Sequence, residues 1–231
     1  KETRVDILVT PLVTIFSGVG LSMLIAAPIG AAASQVGTLI MWATEQAPLV
    51  MGILVSVIVG VALTLPISSA AICAALGLTG LAGGAAVAGC CAQMIGFAVM
   101  SYKENGVGGL VSQGLGTSML QMGNIIKNPR IWIAPTLASA ITGPLATCLF
   151  HFEMNGAAVS SGMGTCGLVG QIGVYTGWVS DIAAGTKAAI TPMDWAAMVL
   201  LCFVLPAVLS VIFCEIERKL GWIKEGDLKL N

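Results

Sequence analysis

Between Glu45 and Lys103 the chain runs for 57 residues without one Asp, Glu, Lys, Arg or His. A soluble domain carries roughly a quarter charged residues, so a run of that length has no place on a wet surface. Four more windows lack Asp, Glu, Lys and Arg: Asn105 to Ile126 (22 residues), Ile131 to Phe152 (22), Met154 to Ser180 (27) and Trp195 to Cys214 (20). About 20 mostly apolar residues cross a bilayer core as a helix. Over the whole chain of 231 residues only 9% are charged and 57% are hydrophobic. The reading is an all-α polytopic membrane protein. The short alternating segments of an outer-membrane barrel are missing.

Proline and small residues divide these windows. Lys1 to Asp6 is a charged start, and Val9 to Ala33 is apolar but interrupted by Pro11 and Pro28. Ser34 to Gln46 reads as an interfacial helix or connection, and Pro48 to Leu63 as a dense span. Pro66 then removes a backbone donor, and Ser68 and Ser69 beside it offer hydroxyls to the freed carbonyls. Ala74 to Met100 is rich in Gly, Ala and Cys, which suits helix packing. Tyr102 to Gly106 reads as a wet loop and Lys127 to Arg130 as a second one. Ile131 to Phe150 is another span. His151 to Gly170 holds seven Gly or Ser residues besides His151, Glu153 and Asn155, too broken for a plain span. Gln171 to Val179, a loop over Ser180 to Asp194 and a last span over Trp195 to Cys214 follow. One or two re-entrant or broken helical hairpins are therefore expected among the transmembrane helices, near Pro66 and after Phe150. Residues 1–231 read as one transmembrane domain, with 215–231 as a charged tail. The chain starts with Lys1, so a longer polypeptide with further N-terminal spans is expected.

Charge bounds the partners. Ten basic and eleven acidic residues give a net charge of −1, which excludes a nucleic-acid footprint. The tail holds Arg218, Lys219, Lys224 and Lys229, four of the ten basic residues, which assigns it to the cytoplasm. The seven cysteines form no C-x-x-C pair, and the lone His151 leaves too few partners for zinc, so no metal or cofactor is expected. Cys90-Cys91 is read as a pair of small packing residues. A shift of 78 residues aligns Thr64-x-Pro66 with Thr142-x-Pro144, Gly84 with Gly162, Gly89 with Gly167 and Gln93 with Gln171. These matches fit either chance or a repeat whose paired breaks mark a midplane site.

Two constellations can meet a solute. His151, Glu153 and Asn155 put a carboxylate and the sole histidine next to a break, where polar groups pair or line a pathway; a plain surface loop is the other reading. Gln113, Gln121 and Asn124, with Ser118, roughly share a helical face. Each amide offers a donor and an acceptor, which suits an uncharged polyhydroxylated ligand, although the same groups also serve interhelical hydrogen bonds. Ser68 and Ser69 complete the candidate set. No Ser-His-Asp arrangement or phosphate-cradling motif is present, and no catalytic residue is assigned.

Five runs carry a family resemblance: DILVTPLVTI at Asp6 to Ile15, ALTLPISSAA at Ala62 to Ala71, GLGTSMLQ at Gly114 to Gln121, KNPRIWI at Lys127 to Ile133 and GMGTCGLVGQ at Gly162 to Gln171. Together they resemble the enzyme IIC-like membrane proteins of the bacterial sugar phosphotransferase system, in the branch with the perfringolysin regulator-like proteins. The resemblance implies a multi-pass permease of the bacterial inner membrane. It also implies a homodimer, and a sugar carried inward while a separate cytoplasmic IIB protein phosphorylates it. The chain would then be at most the membrane component of a protein-phosphohistidine-sugar phosphotransferase. It contains no IIA or IIB module and no phosphoryl-carrying residue. A membrane regulator or sensor of the same fold, or an uncoupled carrier of a small polar solute, are the alternatives.

Overall fold

In the computed structural model, which describes residues 6–230 and their side chains except those of 6–8, 21 and 24–27, proline does not stop the first helix. Helix α1 runs over Asp6–Gln46 with Pro11 and Pro28 inside it, so Ser34 to Gln46 continues a helix rather than forming a separate connection. The charged start at residues 1–5 lies outside the described part. From Val9 to Gly30 the described side chains of α1 are exposed, whereas Gly37 presses on the Leu76 carbonyl and Thr44 is buried.

Helix α2 (Pro48–Thr64) begins on a proline whose missing N–H costs nothing at a helix start. It crosses α4 (Gly80–Met100) and α7 (Ile133–Pro144) without intervening side chains. The Cα of Gly89 faces the Ser56 backbone, that of Gly60 faces the Gly89 carbonyl, and that of Gly143 faces the Gly52 carbonyl. None of these positions has room for a Cβ. Small residues permit this approach, and close backbones let hydroxyls bond across helices: Ser56 Oγ donates to the Ser139 carbonyl at 2.8 Å. Helix α4 is the hub, with nearly every residue buried. Its single amide, Gln93, accepts from Trp132 Nε1 at 2.9 Å and donates to Thr136 Oγ1 at 3.2 Å.

Both expected breaks occur, and they meet. After Thr64 the chain turns through Pro66 into a short helix α3 (Ser69–Leu76), and Ser68 caps it by accepting from the Ala71 N–H at 3.2 Å. After α7 a wide π turn (Leu145–Leu149) gives way to extended chain and two 3-10 turns (Ala158–Gly162 and Cys166–Leu168) before α8 (Val169–Ala183). Gly80 and Met154 exchange both backbone hydrogen bonds at 3.0 Å. Ser69 Oγ donates to the Gly162 carbonyl at 2.7 Å, and Ser161 Oγ donates to the Leu78 carbonyl. The 78-residue register, in contrast, pairs unlike elements: Gly84 is inside α4 while Gly162 ends a 3-10 turn.

Tyr102 to Gly106 is not a loop. It opens helix α5 (Tyr102–Val111), which kinks at Gly106. Lys103 pairs with Glu215 at 3.0 Å and Glu104 with Arg218 at 2.8 Å, fastening α5 to the last helix. A π turn (Ser112–Gly116), a 3-10 turn (Ser118–Gln121) and α6 (Met122–Lys127) follow. The last span consists of α9 (Pro192–Val199), a π turn (Leu200–Val204) and α10 (Leu205–Lys219). Beyond it residues 220–230 fold back as a strap, with Ile223 and Leu228 buried. Three stretches, Gly80–Met100, Pro129–Leu149 and Pro192–Lys219, are long and apolar enough to cross a membrane. The fold is all-α and polytopic, with no strands among the described residues.

Candidate solute cleft

The second break builds a cleft by alternation. In extended chain successive side chains point to opposite sides. Phe152 and Met154 accordingly turn into the core, while His151, Glu153 and Asn155 stay on the open side. The Phe152 N–H bonds the Ala146 carbonyl at 2.8 Å, and Met154 is fixed by Gly80, so the register of the three polar residues is set by backbone bonds. His151 holds a left-handed conformation (φ 43°), which costs a non-glycine residue roughly 1–2 kcal/mol.

Helix α8 supplies the opposite wall. A Cβ on Gly177 would lie 2.8 Å from the backbone nitrogens of Asn155 and Gly156, so the helix rests directly on the extended segment. That contact brings Trp178 and Asp181 to the cleft. Asn155 Nδ2 donates to Glu153 Oε2 at 3.0 Å and to Asp181 Oδ2 at 2.9 Å. One amide thus holds two carboxylates side by side. The loop after α8 adds Lys187, whose ammonium pairs with Asp194 at 2.8 Å and lies 5.7 Å from the centre of the Trp178 ring. Asp194 is also the capping-box partner of Thr191 at the start of α9. The half-open recess holds about 490 Å³, within the 300–1,000 Å³ typical of ligand pockets. Hydroxyl acceptors, an amide, an ammonium and an indole face it together. That set can hold a polyhydroxylated ring.

The other candidates lie elsewhere. Asn124 Nδ2 donates to Gln121 Oε1 at 2.8 Å, Gln121 Nε2 to Gln113 Oε1 at 2.9 Å, and Gln113 Nε2 to Ser101 Oγ at 2.7 Å. The three amides do converge, though across π, 3-10 and α turns rather than on one α-helical face. They also hold the strap, since Gln121 donates to the Leu228 carbonyl at 2.9 Å and Asn124 to the Lys229 carbonyl at 3.0 Å. Ser118 Oγ meets Thr64 Oγ1 at 2.8 Å. Ser68 is exposed at the α3 cap, and Ser69 is buried at the junction of the breaks. None of these residues lines the cleft.

The sequence pattern does not single out Asp181, Lys187, Asp194 or Trp178. Three charges in fifteen residues between two apolar segments were the available signal, and it reads equally well as an ordinary connecting loop. Among the described residues no group of three or more His, Cys, Asp or Glu side chains is placed to hold a metal ion.

Fold and cleft together define a helical membrane protein with a polar solute-sized recess beside its chain breaks. The comparisons narrow that class. The family model described as "Phosphotransferase system, EIIC" matches residues 1–230, and the chain belongs to that family. It is a membrane component of the phosphotransferase system. Neither the curated proteins nor the solved structures contain a match to it.

Proposed function

We propose that this chain is the permease subunit of a sugar phosphotransferase system and that the cleft at His151, Glu153 and Asn155 receives the sugar. The observation that carries the reading is the Asn155 bridge. It fixes Glu153 and Asp181 as neighbouring acceptors at the rim of a recess walled by Trp178. Vicinal sugar hydroxyls present two neighbouring donors, and a carboxylate acceptor makes the stronger, charge-assisted kind of hydrogen bond.

The family supports the rest of the reading. Residues 1–231 act as one transmembrane domain in the bacterial inner membrane, as a homodimer. A separate cytoplasmic IIB protein phosphorylates the sugar, and the charged tail at 215–231 lies on its side of the membrane. Gln113, Gln121, Asn124, Ser68 and Ser69 then serve the scaffold that holds the cleft.

A thermal-shift screen of the purified protein against sugars, sugar phosphates and organic acids tests this. A ligand at 100 times its Kd should add about 2.7 kcal/mol of stability. A sugar hit that is lost in Glu153→Gln supports the reading, and a screen in which only organic acids stabilise the protein overturns it.

A further inference from the structure

Glu217 sits in the last turn of α10, where a carboxylate would ordinarily reach water, yet it is 3% exposed. Both of its carboxylate oxygens are buried and neither has a hydrogen-bond partner. An isolated ionised carboxylate is so costly to bury that the group takes up a proton instead.

The cations nearby are paired with other groups or turned to solvent. On α10 itself Arg218 pairs with Glu104 of α5, Glu215 holds Lys103, and Lys219 is exposed. Helices α4 and α7, against which α10 packs, carry no acidic or basic side chain; α4 has only Cys90 and Cys91, and Cys214 lies one turn earlier on α10. Arg130 lies over the Trp222 ring at 5.6 Å, and Lys127 belongs to α6. In the strap Asp227 accepts from Asn128 and from the Lys224 N–H, while Lys224, Glu225 and Lys229 are exposed.

What closes over this end of the helix is the strap. The chain reverses at Gly221 (φ 73°), the Trp222 N–H bonds the Glu217 carbonyl at 2.9 Å, and Ile223 and Leu228 enter the same apolar cluster as Cys214. We propose that Glu217 is a proton-binding site: it carries a proton while the strap is seated and releases it to water when the strap lifts. The step breaks the carboxyl O–H bond, leaves a carboxylate on Glu217 and hands the proton to solvent. The seated state therefore binds one more proton than the lifted one. Seating weakens as pH rises above the ordinary Glu value of about 4.3, by about tenfold per pH unit while the seated form stays protonated.

The test is hydrogen exchange of the full chain in lipid nanodiscs between about pH 5 and about pH 7, above that ordinary value. Rates are converted to protection factors to remove the intrinsic pH effect. In the native protein, protection at residues 222–230 should fall about tenfold per pH unit, while α4 stays unchanged. Glu217→Gln and Glu217→Met, two neutral replacements of similar size, should each remove the slope and keep the strap protected. Either one suffices if the other fails to fold. A flat native profile overturns the proposal, and so does a slope that survives in both variants.

Discussion

The Ser69 hydroxyl donates to the carbonyl of Gly162, 93 residues further along the chain, at 2.7 Å. That bond joins the two broken segments. Both groups are buried, so the Gly162 carbonyl has no water to turn to if the hydroxyl is lost. The Gly80 and Met154 backbone pair and the Ser161 bond to Leu78 add three further ties across the same junction. The cleft residues begin one position from Met154, so the junction positions them.

Ser69→Ala should cost about 1–3 kcal/mol of stability, the penalty of an unpaired buried carbonyl. Gly162→Ala should cost at least as much. A Cβ there would lie 2.5 Å from the Ser69 carbonyl oxygen and would force the two segments apart. Thermal unfolding in detergent checks both, and equal stability of Gly162→Ala and native protein would show that the junction is loose.

A second prediction concerns helix packing. Gly89→Ala drives a methyl into the Ser56 backbone where α2 crosses α4 and should prevent folding or lower stability by about 1–3 kcal/mol, the usual cost of overpacking. Gly18→Ala in α1 meets nothing within 4 Å and should stabilise that helix by roughly 0.5–1 kcal/mol. Expression yield and melting temperature of the two variants give the comparison, and similar losses at both sites would refute the crossing.

These elements differ in how readily the sequence reveals them. Charge-free windows report bilayer burial directly, and Pro66 and the Gly/Ser content after Phe150 mark breaks by removing donors and side chains. The wet-loop reading of Tyr102 to Gly106 failed for a different reason. Lys103 and Glu104 find their partners 112 and 114 residues away, and local composition carries no trace of so distant a pairing. The cleft was half legible. His151, Glu153 and Asn155 stand out as polar residues beside a break. Asp181 reaches them only through the contact of Gly177 with the Asn155 backbone, a tertiary fact. α-Helical spacing groups the amides at 113, 121 and 124. They meet because π and 3-10 turns happen to restore proximity.

A third prediction concerns that amide chain. Gln121→Leu removes the donor to both Gln113 Oε1 and the Leu228 carbonyl. Each orphaned buried acceptor costs about 1–3 kcal/mol. The strap should exchange faster at 226–230 while α4 and α7 remain protected. Sugar affinity should stay within about twofold, since Gln121 does not line the cleft and effects at separate sites add with little coupling.

The last prediction concerns the cleft. Glu153→Gln keeps the shape of the side chain but removes its charge and one acceptor. A hydrogen bond to a charged group contributes about 1.5–3 kcal/mol, so affinity for a sugar found by the screen should fall roughly 10–150-fold, at 1.4 kcal/mol per decade. Asp181→Asn should do comparable harm, because Asn155 presents the two carboxylates as a pair. The double variant should lose less than the sum of the two, as residues sharing one partner are not additive. Glu45→Gln, at an exposed position near the end of α1, should stay within about twofold. Titration calorimetry on folded variants decides the matter. Unchanged affinity in Glu153→Gln and Asp181→Asn, together with a loss in Gln121→Leu, would move the sugar from the cleft to the amide chain.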